Sequence, residues 1–195
     1  MSCAQKNNDS GYIGPQEVRT ENGVMTPETL LSFGRLSDPQ LSPDGSKIAW
    51  CSMERDGYEA DRQRLMVAQI IQQAPPADGQ NFGLEVGEIE ELTKGYIYDV
   101  EDLYWTPDSK QIVFPSTIDG LCALCRVSAD GTGSVQRITP ASWWLGFSVP
   151  FAYEQGEKGT RILCCYQSMD FPSEIVAVNE PAAGEIGYKQ ISNEN

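Results

Sequence analysis

Histidine does not occur in this sequence. That gap removes every hydrolytic site that relays a proton through imidazole, because neither a Ser-His-Asp nor a Cys-His arrangement can be assembled from these residues. Bases are scarce beside acids, 14 Lys and Arg against 28 Asp and Glu, for a formal net charge of −14. A surface of that sign repels phosphate backbones and anionic lipid, so nucleic acid and membrane surfaces are not expected as partners. No apolar run approaches the roughly 20 residues that a membrane-spanning helix needs, and no secretory h-region is visible. Nor does a Gly-rich loop open a helix, which argues against a nucleotide phosphate site. No cofactor is expected.

What is present points to strands. With 40% hydrophobic residues, 18 Gly and 12 Pro in 195 residues, the chain suits one turn-rich β domain with a full-sized core. Ser37 to Ser52 reads SDPQLSPDGSKIAWCS. In Pro43-Asp44-Gly45-Ser46 the proline presets φ, the aspartate can bond its own backbone and the glycine supplies positive φ. With β-formers on both sides the stretch predicts a hairpin. The pattern recurs without a gap at Trp105 to Phe114, where Pro107 matches Pro43, Asp108 matches Asp44, Ile112 matches Ile48 and Phe114 matches Trp50. A repeat of strand, Pro-Asp turn and apolar strand is the signature of a β-propeller or another β-repeat array.

Residues 1–24 are polar and read as a loose lead-in to a single domain over 25–195. Thr26-Pro27-Glu28 starts a short helix, with Leu30, Leu31 and Phe33 on one side and Gly34 to end it. Three units of four strands follow, at about 38–93, 100–139 and 145–192. In the first the strands are Asp38–Ser42, Lys47–Met53, Arg64–Ile71 and Gly87–Thr93; in the second Glu101–Thr106, Gln111–Thr117, Leu121–Ser128 and Val135–Thr139. In the third they are Leu145–Tyr153, Thr160–Gln167, Glu174–Val178 and Tyr188–Ser192, with a turn over Glu154–Gly159. Hairpin dipeptides stand at Asp119-Gly120 and Asp130-Gly131, and Glu91-Leu92-Thr93 matches Arg137-Ile138-Thr139. Each unit is apolar on both faces and therefore needs neighbours on either side. Propellers close with about four to eight blades, so the expected fold is all-β: a partial propeller of about three four-stranded antiparallel blades plus one short N-terminal helix.

Few residues carry chemistry. Cys122 and Cys125 form a C-x-x-C, but on a strand residues three apart point to opposite faces, and two further zinc ligands are missing, so no metal is expected. Cys51, Cys122, Cys125, Cys164 and Cys165 read as buried thiols in strands. Gly146-Phe147-Ser148-Val149-Pro150 begins like a nucleophile elbow yet lacks the second glycine and reads as strand. Two acidic clusters remain: Glu88, Glu90 and Glu91, and Asp99, Glu101 and Asp102. Acids beside strands are ordinarily solvated charges that discourage sheet aggregation; the second cluster, where a unit begins, is also placed to bind a peptide amine or a cation. Trp143 and Trp144 are adjacent and cannot both face one core, so one is a candidate partner anchor, the alternative being packing between units. The opening MSCAQKNNDSG resembles the mature start of a bacterial lipoprotein, with Cys3 as the lipid anchor and the periplasm or cell surface as the location; the plain alternative is an unstructured terminus.

MTPETLLSFGRLSDPQLSPDGSKIAW resembles the start of the propeller domain in the prolyl-oligopeptidase family of serine peptidases, close to its bacterial dipeptidyl-peptidase and acylaminoacyl-peptidase-like members. TPDSKQIVF is similar to a later blade there, and QSMDFPSEIVAV with KQISNEN to the last one. The resemblance covers about Met25 to Asn195 and joins the beginning of such a propeller to its end. It implies a domain that caps the active site and limits access to short or unfolded peptides, with catalysis by an α/β-hydrolase domain of which no part is seen here. The expected role is thus a non-catalytic propeller segment that gates peptides and packs on a hydrolase domain. The alternative is a stand-alone periplasmic or surface-anchored module that binds a peptide or protein, with a second copy covering its open faces. An intrinsic carboxylate hydrolase is a third, more distant reading.

Overall fold

The computed structural model describes residues 37–53, 60–72 and 84–193. The lead-in, the helix expected from Thr26 and Cys3 lie outside them. The described residues form three antiparallel sheets. The first is β1 (Ser37–Leu41), β2 (Lys47–Ser52), β3 (Arg64–Gln72) and β4 (Leu84–Glu91), paired in chain order. The second is β5 (Tyr104–Trp105), β6 (Gln111–Ile118), β7 (Leu121–Ser128) and β8 (Gln136–Arg137), again in chain order. The third runs β10 (Ala152–Gly156), β11 (Gly159–Gln167), β12 (Glu174–Pro181) and β13 (Gly187–Gln190), with β9 (Gly146–Phe147) on the β10 side of β11.

The repeated turns follow from their sequence. Asp44 Oδ1 accepts from the Ser42 hydroxyl at 2.7 Å and from the Ser46 amide at 3.0 Å. Asp108 Oδ1 does the same with Thr106 at 2.7 Å and the Lys110 amide at 3.1 Å. Gly45 sits at φ 71° and its counterpart Ser109 at φ 59°, the left-handed conformation that serine adopts only under constraint. Ser109 has such a constraint, since its hydroxyl accepts the Asp44 amide at 3.1 Å and ties the two turns together. Asp119-Gly120 forms the two-residue hairpin expected of it, both residues at positive φ between Ile118 and Leu121. Asp130-Gly131 instead opens a longer connection to β8.

The third sheet departs from expectation at its first strand. Pro150 has no N–H to give, so the run expected over Leu145–Tyr153 is split into β9 and β10, and the ladder to β11 is carried across the gap by Ser148 N to Cys165 O and Phe151 N to Leu163 O, both at 3.0 Å. Strand pairing then continues to Gly156, which leaves only Glu157-Lys158 as the hairpin loop. In the second sheet the outer strands shrink to two residues each, because Thr106 turns its hydroxyl back onto the Gln111 amide at 3.0 Å and Thr139 does likewise to Leu124 at 3.0 Å.

That last bond is part of a threefold rule. Leu65 N donates to the Thr93 hydroxyl at 3.1 Å, Leu124 N to Thr139 at 3.0 Å and Ile175 N to Ser192 at 2.8 Å. In each case the residue before the hydroxyl returns its own amide to the same strand residue: Leu92 to Leu65, Ile138 to Leu124, Ile191 to Ile175. The match of Glu91-Leu92-Thr93 with Arg137-Ile138-Thr139 therefore marks how each sheet is closed.

Alternation along the central strands makes the sheets two-faced, and two cores result. Ala49, Cys51, Leu65, Val67 and Leu92 of the first unit meet Ile112, Phe114, Cys125 and Val127 of the second. On the reverse of the second sheet, Val113, Leu124 and Ile138 meet Ile162, Cys164, Val176 and Val178 of the third. The middle sheet is thus buried on both sides. Polar clasps register the stack: Gln40 Nε2 donates to Leu103 O at 2.9 Å while Trp105 Nε1 donates to Gln40 O at 3.2 Å. Between the second and third sheets Arg126 grips Glu180 with both guanidinium nitrogens, at 2.6 and 2.8 Å, the bidentate geometry that makes an ion pair directional.

Candidate functional site

The segment leading into β5 carries the acidic cluster. Val100 and Leu103 are buried in the first core and pin it down, while the acids between and beside them turn outward and are engaged one by one. Asp99 Oδ1 accepts the Gln63 amide at 2.7 Å, and its carbonyl accepts the Ser116 hydroxyl at 2.6 Å. Ser116 in turn accepts from Tyr96 at 2.9 Å. Asp102 Oδ1 accepts the Leu103 amide at 2.8 Å. Glu101 reaches across the β6–β7 hairpin end, where Thr117 donates to Oε1 at 2.6 Å and the Cys122 thiol stands 3.9 Å from Oε2. Among the described residues no group of three or more acids and cysteines comes together as a metal-holding set. The cluster is a rim of separate carboxylates, each anchored to a different neighbour.

Cys122 links this rim to the tryptophans. Its thiol donates to Phe147 O at 3.0 Å, and the Phe147 ring lies 6.0 Å from that of Trp143. Burial, reinforced by the Glu101 charge, pushes the Cys122 thiol up to about 11. The thiolate is the nucleophile, so Cys122 should alkylate very slowly at pH 7 and accelerate about tenfold per pH unit until the pH nears that value. Iodoacetamide labelling read peptide by peptide checks this; a rate at pH 7 like that of an ordinary exposed cysteine contradicts the buried geometry. Cys125 lies on the opposite face, against Tyr96 at 3.7 Å, as a C-x-x-C on a strand requires. Cys164 is buried and its neighbour Cys165 half-buried, splayed likewise.

The tryptophan pair separates as adjacency demands. Trp143 closes a 3-10 turn (Ala141–Trp143) and packs edge-on against Tyr188 at 4.8 Å, at the margin of the second core. Trp144 takes φ 54°, ψ 33° and is 74% exposed. A bulky residue in the left-handed region is uncommon, and this one points its ring into solvent. Of the two, Trp144 is the one available to a partner. Ser148 lies just beyond β9 with its hydroxyl accepting the Cys165 amide at 3.0 Å, so the elbow-like run is sheet structure.

Two features had no sequence signal beyond their residue types, because their members lie far apart in the chain. Glu91, from the first acidic cluster, receives Arg62 at 2.7 Å and lies 3.9 Å from Arg64. Glu88 and Glu90 instead line a cleft of about 290 Å³ between the first two sheets, with Lys47, Gln69, Ala129 and Asp130. Lys47 Nζ donates to Ala129 O at 2.6 Å, and the Glu90 carboxylate lies over Gly131, where a Cβ would fall 2.7 Å from Oε2. Among the described residues no helix is long and apolar enough to cross a membrane.

No family model matches the chain. Curated relatives are nevertheless found. The chain is 32% identical over 142 residues to dipeptidyl-peptidase 5 of Porphyromonas gingivalis, an alignment covering 72% of this chain and 17% of that protein. It is 49% identical over 45 residues to dipeptidyl-peptidase 5 of Porphyromonas endodontalis, covering 23% of this chain and 6% of that one, and 33% identical over 60 residues to dipeptidyl-peptidase 5 of Trichophyton equinum, covering 31% and 8%. The matches therefore span 17% or less of these relatives' lengths. Among solved structures, TolB from Acinetobacter baumannii aligns with a TM-score of 0.48 at 15% identity over 83% of this chain and 33% of its own. A puromycin-hydrolyzing peptidase of Mycobacterium tuberculosis aligns with a TM-score of 0.46 at 14% identity over 81% and 29%.

Proposed function

From its homology to dipeptidyl-peptidase 5, of the prolyl-oligopeptidase family of serine peptidases, we propose that the chain is a non-catalytic propeller segment of such a peptidase, its three sheets serving as blades of one domain over 25–195. Its work is to limit which peptides reach a hydrolase domain and to pack against that domain, while the bond is broken by residues outside this sequence. One observation supports the reading above the others: the 142-residue match to a curated peptidase covers 17% of that protein, and the matching chain has no histidine from which an imidazole-relayed site could be built. Gating needs a surface that meets peptides, and the rim of Asp99, Glu101 and Asp102 supplies carboxylates suited to a free amine, with Trp144 as an aromatic anchor nearby in sequence to β9.

The test has two arms. Dipeptidyl p-nitroanilides incubated with the purified chain should show no turnover, and a fluorophosphonate probe should leave no serine adduct; turnover that survives repurification together with an adduct overturns the reading. In the second arm, fluorescence-labelled short peptides should bind the triple variant Asp99→Asn, Glu101→Gln, Asp102→Asn about tenfold more weakly than the parent, the effect expected when charge-assisted hydrogen bonds to an amine are lost. An unchanged affinity removes the rim from the site. A second reading, a docking module of the periplasm or cell surface tethered at Cys3, draws on the exposure of Trp144; it calls for metabolic incorporation of labelled palmitate that Cys3→Ser abolishes.

A further inference from the structure

An aspartate followed by glycine can rearrange with water as the sole co-reactant. The glycine backbone nitrogen attacks the side-chain Cγ, and the amide proton and the carboxyl hydroxyl leave together as water, which gives a cyclic succinimide. Water then adds to either imide carbonyl and the C–N bond there breaks, so that aspartate or isoaspartate results. Glycine favours the attack because no Cβ crowds its nitrogen. Among the described residues the dipeptide stands at Asp44-Gly45, Asp119-Gly120 and Asp130-Gly131, and all of these residues are exposed. Asp56-Gly57 and Asp78-Gly79 lie outside the described residues. Exposure does not tell the three apart. What holds each carboxylate does.

Two of them are clamped. Asp44 Oδ1 accepts the Ser42 and Ser46 hydroxyls at 2.7 and 2.8 Å and the Ser46 amide at 3.0 Å. Asp130 Oδ1 accepts the Ser128 and Thr132 hydroxyls at 2.7 and 2.6 Å and the Thr132 amide at 2.9 Å. In both, the carboxyl is committed to the amide beyond the glycine, and Cγ must leave that bond before the glycine nitrogen can reach it. Hydrogen bonds, from Ser42 first, hold the Asp44 carboxyl down at about 2, and bonds from Thr132 first hold that of Asp130 well below its ordinary value. Both therefore stay carboxylates, from which oxygen leaves poorly. Over Gly131 stands a further negative charge, with Glu90 Oε2 2.7 Å from where a Cβ would lie.

Asp119 lacks such a clamp. Its one hydrogen bond among the described residues comes from the Tyr98 hydroxyl, at 3.3 Å. It fills the first place of the turn between Ile118 and Leu121, so the residue beyond the glycine is Leu121, whose backbone is paired with Ile118 in the ladder. Nothing lies within 4 Å of the Cβ position of Gly120, which leaves room for the ring. We propose that Asp119-Gly120 is a self-modification site, at which the chain converts Asp119 to isoaspartate through a succinimide in preference to Asp44 and Asp130. The product carries one more backbone atom in the turn that joins β6 to β7. The next cross-strand pair is Thr117 and Cys122, the residues that meet Glu101 at 2.6 and 3.9 Å, so the change is delivered to the acidic rim. The inference stands apart from the peptidase-segment reading, which the turnover, adduct and affinity assays decide.

The test holds the full chain at physiological pH and temperature in heavy-oxygen water and reads the peptide around each dipeptide by mass spectrometry over weeks. Passage through the succinimide places a solvent oxygen in the residue, and the isoaspartyl product resists a protease that cuts before aspartate. Label should enter at Asp119 on the order of tenfold faster than at Asp44 or Asp130, the factor that a hydrogen bond to a charged group is worth. Equal rates at the three, or a faster rate at Asp44 or Asp130, overturn the proposal. Asp119→Glu, which would have to close a larger ring, should end labelling at that position; label that persists there overturns the succinimide route. Ser128→Ala combined with Thr132→Ala strips the hydroxyls from the Asp130 clamp and should raise its rate about tenfold, and Ser46→Ala, at an exposed residue, should raise that of Asp44 likewise. Rates left unchanged in variants whose circular dichroism matches the parent overturn the proposal, because the clamp is then not what spares those two sites.

Discussion

Truncating Phe114 to alanine should lower the stability of the chain by about 3–5 kcal/mol, the range for deleting a fully buried phenylalanine. Phe114 has no exposed surface and is the largest fully buried side chain among the described residues. It stands on the second sheet at the centre of the core shared with the first, and the Tyr96 ring meets it edge-on at 6.3 Å. Central β6 and β7 are held from both sides, so the structure has little freedom to collapse into the space left behind. Urea denaturation should show the loss as a lower midpoint with the slope kept. Phe114→Leu, which refills most of the volume, should cost about 1.5 kcal/mol or less. A full truncation costing under about 1 kcal/mol would mean that the first two sheets do not share this core.

Placing a methyl group on Gly159 should cost about 2–5 kcal/mol, from backbone strain and overpacking together. Gly159 opens β11 at φ 119°, where side chains are rarely tolerated, and a Cβ there would fall 2.2 Å from Glu180 O and 2.6 Å from Pro181 Cα. Both obstacles are backbone and cannot rotate away. Because Gly159 pairs with Gly156 on one side and Pro181 on the other, any shift must move β10 or β12. Gly156→Ala is the control: nothing lies within 4 Å of its Cβ position, so it should change stability by no more than about 1 kcal/mol. Thermal melts of the pair check the difference; equal midpoints would show that the β11 entry is looser than its register implies.

Much of this architecture could be read from residues alone, and for a local reason. Pro43-Asp44-Gly45 and Pro107-Asp108-Ser109 specify turns through their own side chains and φ preferences, and Leu92-Thr93 and Ile138-Thr139 close a sheet with a hydroxyl that takes an amide of the neighbouring strand in both copies. Repetition then supplied the unit boundaries. Where reading failed, a local rule was overridden: Pro150 broke a strand whose hydrophobicity looked continuous, and hydroxyls at Thr106 and Thr139 shortened two strands by taking amides the ladder would have used.

The candidate site was legible only as types. Adjacency of Trp143 and Trp144 guaranteed that they would part, but not that Trp144 would be the exposed one, which depends on the left-handed turn and on Tyr188 packing edge-on against Trp143. The acids from Asp99 to Asp102 were visible as charges, yet their separate anchoring to Gln63, Thr117 and Leu103 reflects which backbone passes beside them.

From the amino-acid order alone come the absence of imidazole chemistry, the acidic surface, the repeated β unit and the need of each unit for neighbours on both sides; all are properties of composition, of period two and of turn residues, which act over a few positions. Tertiary structure alone decided which faces meet, that the middle sheet is enclosed while the third keeps Ile175 and Ile191 in water, and that Arg126 finds Glu180. Those outcomes join residues far apart in the chain, and burial is shared between surfaces that no single stretch of sequence contains.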